Sequence, residues 1–491
     1  MNKLVQSAVS GEKFTANGAL TLATSFNKNL DLFSVIGSSR NDPSVALEKF
    51  KLAFNEDQST AIRILLWARD ARGGAGERDI FRKIMAWLAV ESKRSTVSIM
   101  LSGKIEELGR FDDYVDLLVN ENIIKPLREQ IAQRLRYSIE SASDVAGLVA
   151  KWLPRKGKES AIIRQLMGLT PKAYRKMLVE ATNVVESKMC AKTWEDINFS
   201  HVPSVAMARY SKAFGKNSTE AFVQYKKDLE EGKVEAKASV LYPYDVLRTA
   251  ESGDAEIADA QWKALPDYLD GASKMLPMID VSGSMTVPAG SKGSLSCMDV
   301  AVSLGIYLSQ KQEGAFKNLA MTFESDPSWI TIDKPTIAEN ISHVKSAPWG
   351  GSTDIQAAFE LLLKTAVTNK VPAIDMPEHI IIISDMEFNA AQGDYGFGQQ
   401  RPKKKTNFAA IESKFEEAGY VRPNIIFWNV NARADNVQVV GDENKTSMIS
   451  GFSAAIMKSI IRCEEITPMK IMYDAIGSAR YDIMGLTKSD E

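Results

Sequence analysis

Residues 274–285 read KMLPMIDVSGSM. Residues 275–279 are an unbroken apolar run, and Asp280, Ser282 and Ser284 then follow at alternate positions. A strand that is apolar on both faces belongs in a mostly parallel sheet covered by helices. Such sheets bind ligands where the chain leaves a strand at the carboxyl edge. One carboxylate and two hydroxyls spaced in this way can turn toward one point. That set suits a hard cation which also keeps waters.

The pattern continues outward from this stretch. Further strands are expected at 317–324, 378–384 and 424–430, with helices at 297–312, 354–369, 405–419 and 447–462. This alternation predicts an α/β, Rossmann-like domain. Two more loops fall at strand or helix ends. Gly350-Gly351-Ser352-Thr353-Asp354 precedes a helix, and Ser384-Asp385-Met386-Glu387 ends the strand at 378–384. Thr353 supplies another hydroxyl, and Asp385 can approach an ion through water. KKKT at 403–406 reads as a solvated loop before a helix.

The ordered triple D-x-S-x-S, G-G-x-T-D and an apolar strand ending in Asp resembles the metal-ion-dependent adhesion site (MIDAS) of von Willebrand factor A domains. The resemblance covers about residues 272–465. It implies Mg²⁺ (or another divalent cation) held by Asp280, Ser282, Ser284, Thr353 and Asp385, directly or through water. It also implies an open coordination position that takes an acidic residue from a protein partner. SDME stands where many relatives have T-D-G, and the insertion VPAGSKGSLSC (287–297) is longer than in compact relatives. A scaffold that has lost its metal is the alternative, although all five donors are present.

Before this domain the periodicity is helical. Between residue 41 and about 250, apolar residues recur every three or four positions, with Gly, Pro or Asn between segments. Thr170 is placed as a helix cap and Pro171 in the first turn. Successive amphipathic helices predict a HEAT-like helical-repeat region or a compact bundle, without a crisp repeat period. The expected division is a leader at 1–40, a helical-repeat domain at 41–250, an acidic linker at 251–271, the α/β domain at 272–465 and an extension at 466–491.

WARDARGGAGERDIFR (67–82), LGRFDDYVDLL (108–118), KWLPRKGK (151–158), LTPKAYRKML (169–178), the stretch 184–214 and LYPYDV (241–246) resemble one group. It is the poorly characterised family of helical plus von Willebrand factor A proteins related to the Ro autoantigen (TROVE-like). The resemblance implies a ribonucleoprotein architecture in which helical repeats form a ring that binds non-coding or misfolded RNA. The von Willebrand factor A domain closes that ring.

Local chemistry offers two readings for each candidate RNA contact. Glycines at 73–76 beside Arg69, Arg72 and Arg78 can expose backbone donors to a phosphate. They can equally form a tight helix–helix turn, with the arginines paired to Asp70, Glu77 or Asp79. The stretch 109–113 reads first as a turn and cap. Trp152, beside Lys151, Arg155, Lys156 and Lys158, can stack on a base or pack against a helix. Arg175 and Lys176 complete the densest basic stretch, 151–192, which has ten basic residues against three acidic ones. Trp194 reads as core, and His201 as structural.

The whole chain has 491 residues and a net charge of -2, which looks uninformative. Residues 1–250 nevertheless carry 38 Lys+Arg against 30 Asp+Glu, and residues 251–491 carry 22 against 32. A basic half can attract phosphate even when the total is near neutral, and the two halves can equally attract each other. Three cysteines without a C-x-x-C and three histidines without ligand spacing argue against a disulfide scaffold and a zinc enzyme. No G-x-S-x-G, H-E-x-x-H, kinase set or dinucleotide glycine run occurs. Asp280 and Asp385 superficially resemble a phosphatase pair, but two-metal hydrolysis needs more carboxylates. The N-terminus does not read as a signal peptide, and no apolar run is long enough to span a bilayer.

The expectation is therefore a non-enzymatic, cytoplasmic, RNA-binding scaffold with no membrane partner. The alternative is a protein-interaction or assembly module that captures an acidic side chain through the metal site. A carboxylate of the same chain filling that site is a third, purely structural reading.

Overall fold

A computed structural model describes residues 12–14, 20–22, 25, 27–91, 93–252, 254–269, 274–289, 295–323, 326–348, 355–385, 408–431, 446–461 and 467–483. The chain divides into two compact units. The first, an α/β unit, comprises 1–56 and 241–477. The second, a helical unit, comprises 57–240 and 478–491.

The α/β unit begins with an antiparallel pair, β1 (Glu12–Phe14) and β2 (Leu20–Leu22), then α1 (Lys28–Val35) and α2 (Pro43–Glu56). The expected leader thus contains a buried helix. Leu30, Leu32, Phe33 and Val35 of α1 all face inward. Asn27 caps α1 by accepting from Leu30 N at 2.8 Å.

The helical unit contains α3 (Gln58–Arg69), α4 (Arg78–Glu91), α5 (Lys93–Leu101), α6 (Lys104–Leu108), α7 (Asp113–Val119) and α8 (Lys125–Glu140). These are followed by α9 (Ala146–Trp152), α10 (Gly157–Leu166), α11 (Pro171–Ala181), α12 (Val185–Ala191), α13 (Ser204–Asn217) and α14 (Thr219–Glu230). Neighbours in sequence pack as hairpins, including α3 on α4, α8 on α9 and α13 on α14. Thr170 caps α11 as expected, accepting from Ala173 N at 3.2 Å, with Pro171 in the first turn. At the far end Phe199, Phe214, Phe222 and Tyr225 form one aromatic cluster, with Phe199 5.1–5.8 Å from each of the others. His201 is exposed and Trp194 half-buried.

The chain then re-enters the α/β unit through α15 (Pro243–Glu251) and α16 (Ala255–Lys263). The stretch expected as a linker is therefore structured. Asp259 accepts from Ile337 N at 2.8 Å, and Ile257, Ala258 and Gln261 bury one face of α16. Its register is fixed by Trp262 Nε1 donating to Gln310 Oε1 at 2.7 Å and Tyr307 Oη donating to Pro266 O at 2.6 Å.

Six strands form the main sheet: β3 (Met275–Ile279), β4 (Leu319–Thr322), β5 (Trp329–Thr331), β6 (His379–Ser384), β7 (Asn424–Asn429) and β8 (Thr446–Ser450). Their order is β5-β4-β3-β6-β7-β8, with only β5 antiparallel to its neighbour. The remaining helices are α17 (Cys297–Lys311), α18 (Ile337–Lys345), α19 (Ile355–Thr368), α20 (Phe408–Glu417), α21 (Met457–Ile461) and α22 (Pro468–Ile476). One face buries Leu276, Met278, Ile380, Ile382 and Phe427 against Phe359, Leu362 and Phe415. Helix α17 lies close on β3, where a side chain at Gly305 would meet Ile279 at 2.4 Å.

Two strands of the main sheet were not expected. The segment 447–462 begins as edge strand β8 and holds only the short helix α21. Strand β5 was not anticipated, since three residues carry too little pattern to read. Pro277 sits within a central strand without breaking it. The β3–β4 pairing begins only at Met278, so no ladder bond is lost on that side.

His379 opens β6 and is 7% exposed. Burial pulls its pKa down to about 4. A depressed histidine stabilises the fold above the unfolded value near 6.5, and that stability is lost as pH falls toward 4. We predict that acidification from pH 7.5 to 4.5 costs the wild-type chain about 2–3 kcal/mol from this residue. Denaturant melts of His379→Gln should lack that increment. An identical wild-type minus variant difference at both pH values would refute the assignment.

Candidate functional site

Strand order reverses between β3 and β6, because the chain builds outward from β3 to β5 on one side and from β6 to β8 on the other. Such a switch point opens a crevice at the carboxyl ends of the two central strands. Asp280 follows β3 there and Asp385 follows β6. The ladder runs up to this point, with Asp280 N donating to Ile383 O at 3.0 Å.

Asp280 is 2% exposed. Its Oδ1 accepts from Ser282 N at 2.9 Å and its Oδ2 from Ser384 Oγ at 2.6 Å. Ser282 Oγ and Ser284 Oγ lie 3.0 Å apart. Burial pushes the Asp280 carboxyl up to about 6, opposed by the bonds from Ser384 and Ser282 and reinforced by the charge of Asp385. Asp385 is also buried. The arrangement brings together two buried carboxylates and neutral hydroxyls, of which those of Ser282 and Ser284 are half-buried. That is the chemistry of a site for a small hard cation, whose charge would offset the carboxylate burial. Among the described residues no group of three or more His, Cys, Asp or Glu is gathered as a metal cluster, and this donor set does not depend on one. Thr353, with the rest of 350–354, lies outside the described residues, as do Met386 and Glu387. Ser384 orients Asp280, a role not anticipated from the sequence, where it reads only as the end of an apolar strand.

In the helical unit the glycine-rich turn is internally satisfied. Gly74 N donates to Asp70 O at 3.1 Å, Ala75 N to Trp67 O at 3.1 Å, Glu77 N to Ala68 O at 2.7 Å and Arg72 N to Asp70 Oδ1 at 3.0 Å. A side chain at Gly74 would meet Trp67 O at 2.0 Å. These bonds are those of a tight helix–helix turn, the second of the two readings open for the loop of Arg69, Arg72 and Arg78. Arg69 is 3% exposed and lies 2.7 Å from Asp113. Arg72 donates to Glu107 O at 3.0 Å, and Arg78 lies 3.4 Å from Asp79. The partner of Arg69 comes from the second motif, LGRFDDY, and not from its own loop.

Asp113 joins these motifs. It accepts from Arg69, from Arg82 Nε at 2.7 Å and from Arg110 N at 3.0 Å. Asp112 lies 2.8 Å from both Arg82 and Arg110. A side chain at Gly109 would sit 2.4 Å from Asp113 Oδ2 and 2.8 Å from Arg69 Nε, so the glycine leaves room for the pair. Arg82, Arg110 and Asp113 were not singled out individually by sequence reasoning. Their signal was the paired acidic residues after a Gly-Arg turn.

The guanidinium of Arg110 lies 4.2 Å over the ring of half-buried Trp152, and Lys151 lies 5.7 Å away. One face of Trp152 therefore carries an arginine. Lys151 is drawn to Glu186 at 3.1 Å. The other basic candidates remain on the surface. Arg155 donates to Thr182 Oγ1 at 2.7 Å but is exposed, as are Lys156, Lys158, Arg175 and Lys176. Tyr174 Oη donates to Pro154 O at 3.0 Å, tying α11 to the loop 153–156. That bond brings Arg155 and Lys156 beside the helix that carries Lys172, Arg175 and Lys176. The ion pairs Lys158–Glu121 at 3.7 Å and Lys176–Glu180 at 3.6 Å are exposed and weak. Counted by unit, the helical unit has 33 Lys+Arg against 27 Asp+Glu, and the α/β unit 27 against 35.

Residues 274–478 match a family model described as a domain of unknown function, DUF7788, and residues 126–275 match another, DUF2828. The chain is 26% identical over 514 residues to the uncharacterised protein L728 of Acanthamoeba polyphaga mimivirus, covering 94% of this chain and 86% of that protein. Among solved structures it is similar to the crystal structure of the Ro (RSR) protein of Deinococcus radiodurans. There the identity is 14% and the TM-score 0.37, with 92% of this chain and 100% of that chain covered. No helix among the described residues is long and apolar enough to cross a membrane.

Proposed function

We propose that this protein is a non-enzymatic RNA-binding scaffold, whose helical unit grips phosphate backbones and whose α/β unit carries a divalent cation. The observation that carries the RNA half is the set of exposed basic side chains Arg155, Lys156, Lys158, Lys172, Arg175 and Lys176 on a unit of net positive charge. Phosphate contacts position a nucleic acid without reading its sequence, so this surface suits RNA of varied sequence. Mobility shifts with pooled structured and single-stranded RNA test the proposal. Failure to bind any pool at micromolar protein and low salt would sink it.

For the cation, Asp280, Ser282, Ser284 and Asp385 are the described residues that would hold it, with Thr353 expected to join them. Mg²⁺ bound there would supply an electrophilic point for an oxygen ligand. The switch-point position of the two aspartates favours a second use of the protein, in which an acidic side chain of a partner is that ligand. Asp280→Asn keeps the shape and can still accept from Ser282 N. We predict at least about 10-fold weaker Mg²⁺ binding by calorimetry, from loss of the one charged donor that β3 supplies. The metal-free melting temperature should not fall, because burial penalises the charge that is removed. Unchanged Mg²⁺ affinity would exclude Asp280 as a ligand. Retention of every co-purified partner by the variant would exclude capture through the metal.

A further inference from the structure

The chain leaves the helical unit at residue 240 and returns to it at residue 478. The returning segment places Arg480, Tyr481 and Asp482 against α3 and α6 of that unit. Arg480 Nε donates to Asp70 Oδ2 at 2.6 Å and Nη2 to Asp70 Oδ1 at 3.2 Å, a two-pronged grip on one carboxylate. Its Nη1 donates to Glu107 Oε1 at 2.9 Å. Tyr481 Oη donates to Asp70 Oδ2 at 3.1 Å. Asp482 pairs with Arg63 in the opposite sense. Three successive residues, basic, aromatic and acidic, thus meet groups of matching chemistry.

We propose that this part of the helical unit is a recognition site for an Arg-Tyr-Asp peptide, filled in cis by residues 480–482. Asp70 lies at 0% exposure with the tail in place, where Arg480 supplies the cation that a buried carboxylate needs. The turn that holds Asp70 is built from bonds of the helical unit's own, through Arg72 N and the closed glycine loop. Tyr481 is 2% exposed, so its ring fills a cavity instead of lying on the surface. The backbone bonds Tyr481 N to Ser478 O at 3.0 Å and Asp482 N to Ala479 O at 3.1 Å hold the tail in a single turn that presents both side chains. Covalent attachment keeps the local concentration of the segment high, and free peptide competes poorly with it. Weakening the cis copy should therefore open the site to the same sequence supplied in trans.

The test uses full-length chains and a fluorescent hexapeptide of sequence Ser-Ala-Arg-Tyr-Asp-Ile, matching 478–483. Arg480→Glu with Tyr481→Ala cripples the cis copy. The hexapeptide should bind this double variant at least about 10-fold more tightly than the wild-type chain, as expected for relief of intramolecular competition. Adding Asp70→Asn should abolish that binding. No binding to the double variant at millimolar peptide, or equal binding with and without Asp70→Asn, would overturn the proposal. If the double variant does not fold, Arg480→Lys carries the test, since lysine keeps the charge and loses the two-pronged grip. Hydrogen exchange at 480–482 should then accelerate by at least about 10-fold. Unchanged exchange would overturn the proposal equally.

Discussion

Replacing Asp113 with alanine should destabilise the helical unit by about 3–5 kcal/mol, the cost typical of removing one partner from a buried ion pair. Its carboxylate is at 0% side-chain exposure and Arg69 at 4%. The Arg82 guanidinium, at 17%, reaches the second oxygen. Removing the carboxylate leaves Arg69 buried with its positive charge uncompensated. It also frees Arg110 N, which closes the turn into α7. Asp113→Asn should cost less, because it can still accept at one oxygen. Denaturant unfolding of the two variants should rank them in that order. An Asp113→Ala loss below about 1 kcal/mol, the level of a surface pair, would show that the network is not structural.

Reversing charge on the exposed cluster should have the opposite profile. Lys156→Glu, Arg175→Glu and Lys176→Glu all alter exposed side chains, so stability should move by no more than about 0.5 kcal/mol per site. RNA affinity should fall on the order of 100-fold at low salt, since three phosphate neutralisations become repulsions. The dependence of log affinity on log salt should also flatten by about 2, at roughly 0.7 per single-strand phosphate. Filter binding across a salt series measures both quantities. Reversing Arg69 gives no such separation, because that residue is buried and its loss would unfold what it touches.

The α/β unit was largely legible in the sequence because its strands are continuous apolar runs, with HIIIIS the plainest. Asp280 and Asp385 were equally legible, since a strand end in such a sheet is already a ligand edge. What escaped was long-range. Helix α1 looked like part of a polar leader, yet Ser450 Oγ donates to Ser34 O at 2.7 Å and Gly37 N donates to Ser450 Oγ at 3.0 Å. Packing across more than four hundred residues leaves no local periodic mark. The acidic stretch 251–271 read as a linker because its acidic residues mask the buried face of a real helix. Each basic motif admits a binding reading and a structural one. Whether Arg69 faces solvent or Asp113 depends on a residue 44 positions away. Spacing alone could not decide between the two readings left open for the glycine loop.

The division of charge persists, slightly reduced, when counted by unit, since the helical unit is net +6 and the α/β unit net -8. The central claim is that this positive unit binds RNA through phosphate contacts. Its most direct test is filter binding of the full-length chain to a mixed RNA pool at about 50 and about 200 mM monovalent salt. With the exposed cluster making about six contacts, affinity should be micromolar or better at the lower salt. It should fall at the higher salt by roughly 100-fold or more. Binding that is absent at the lower salt, or that is the same at both, would contradict the account.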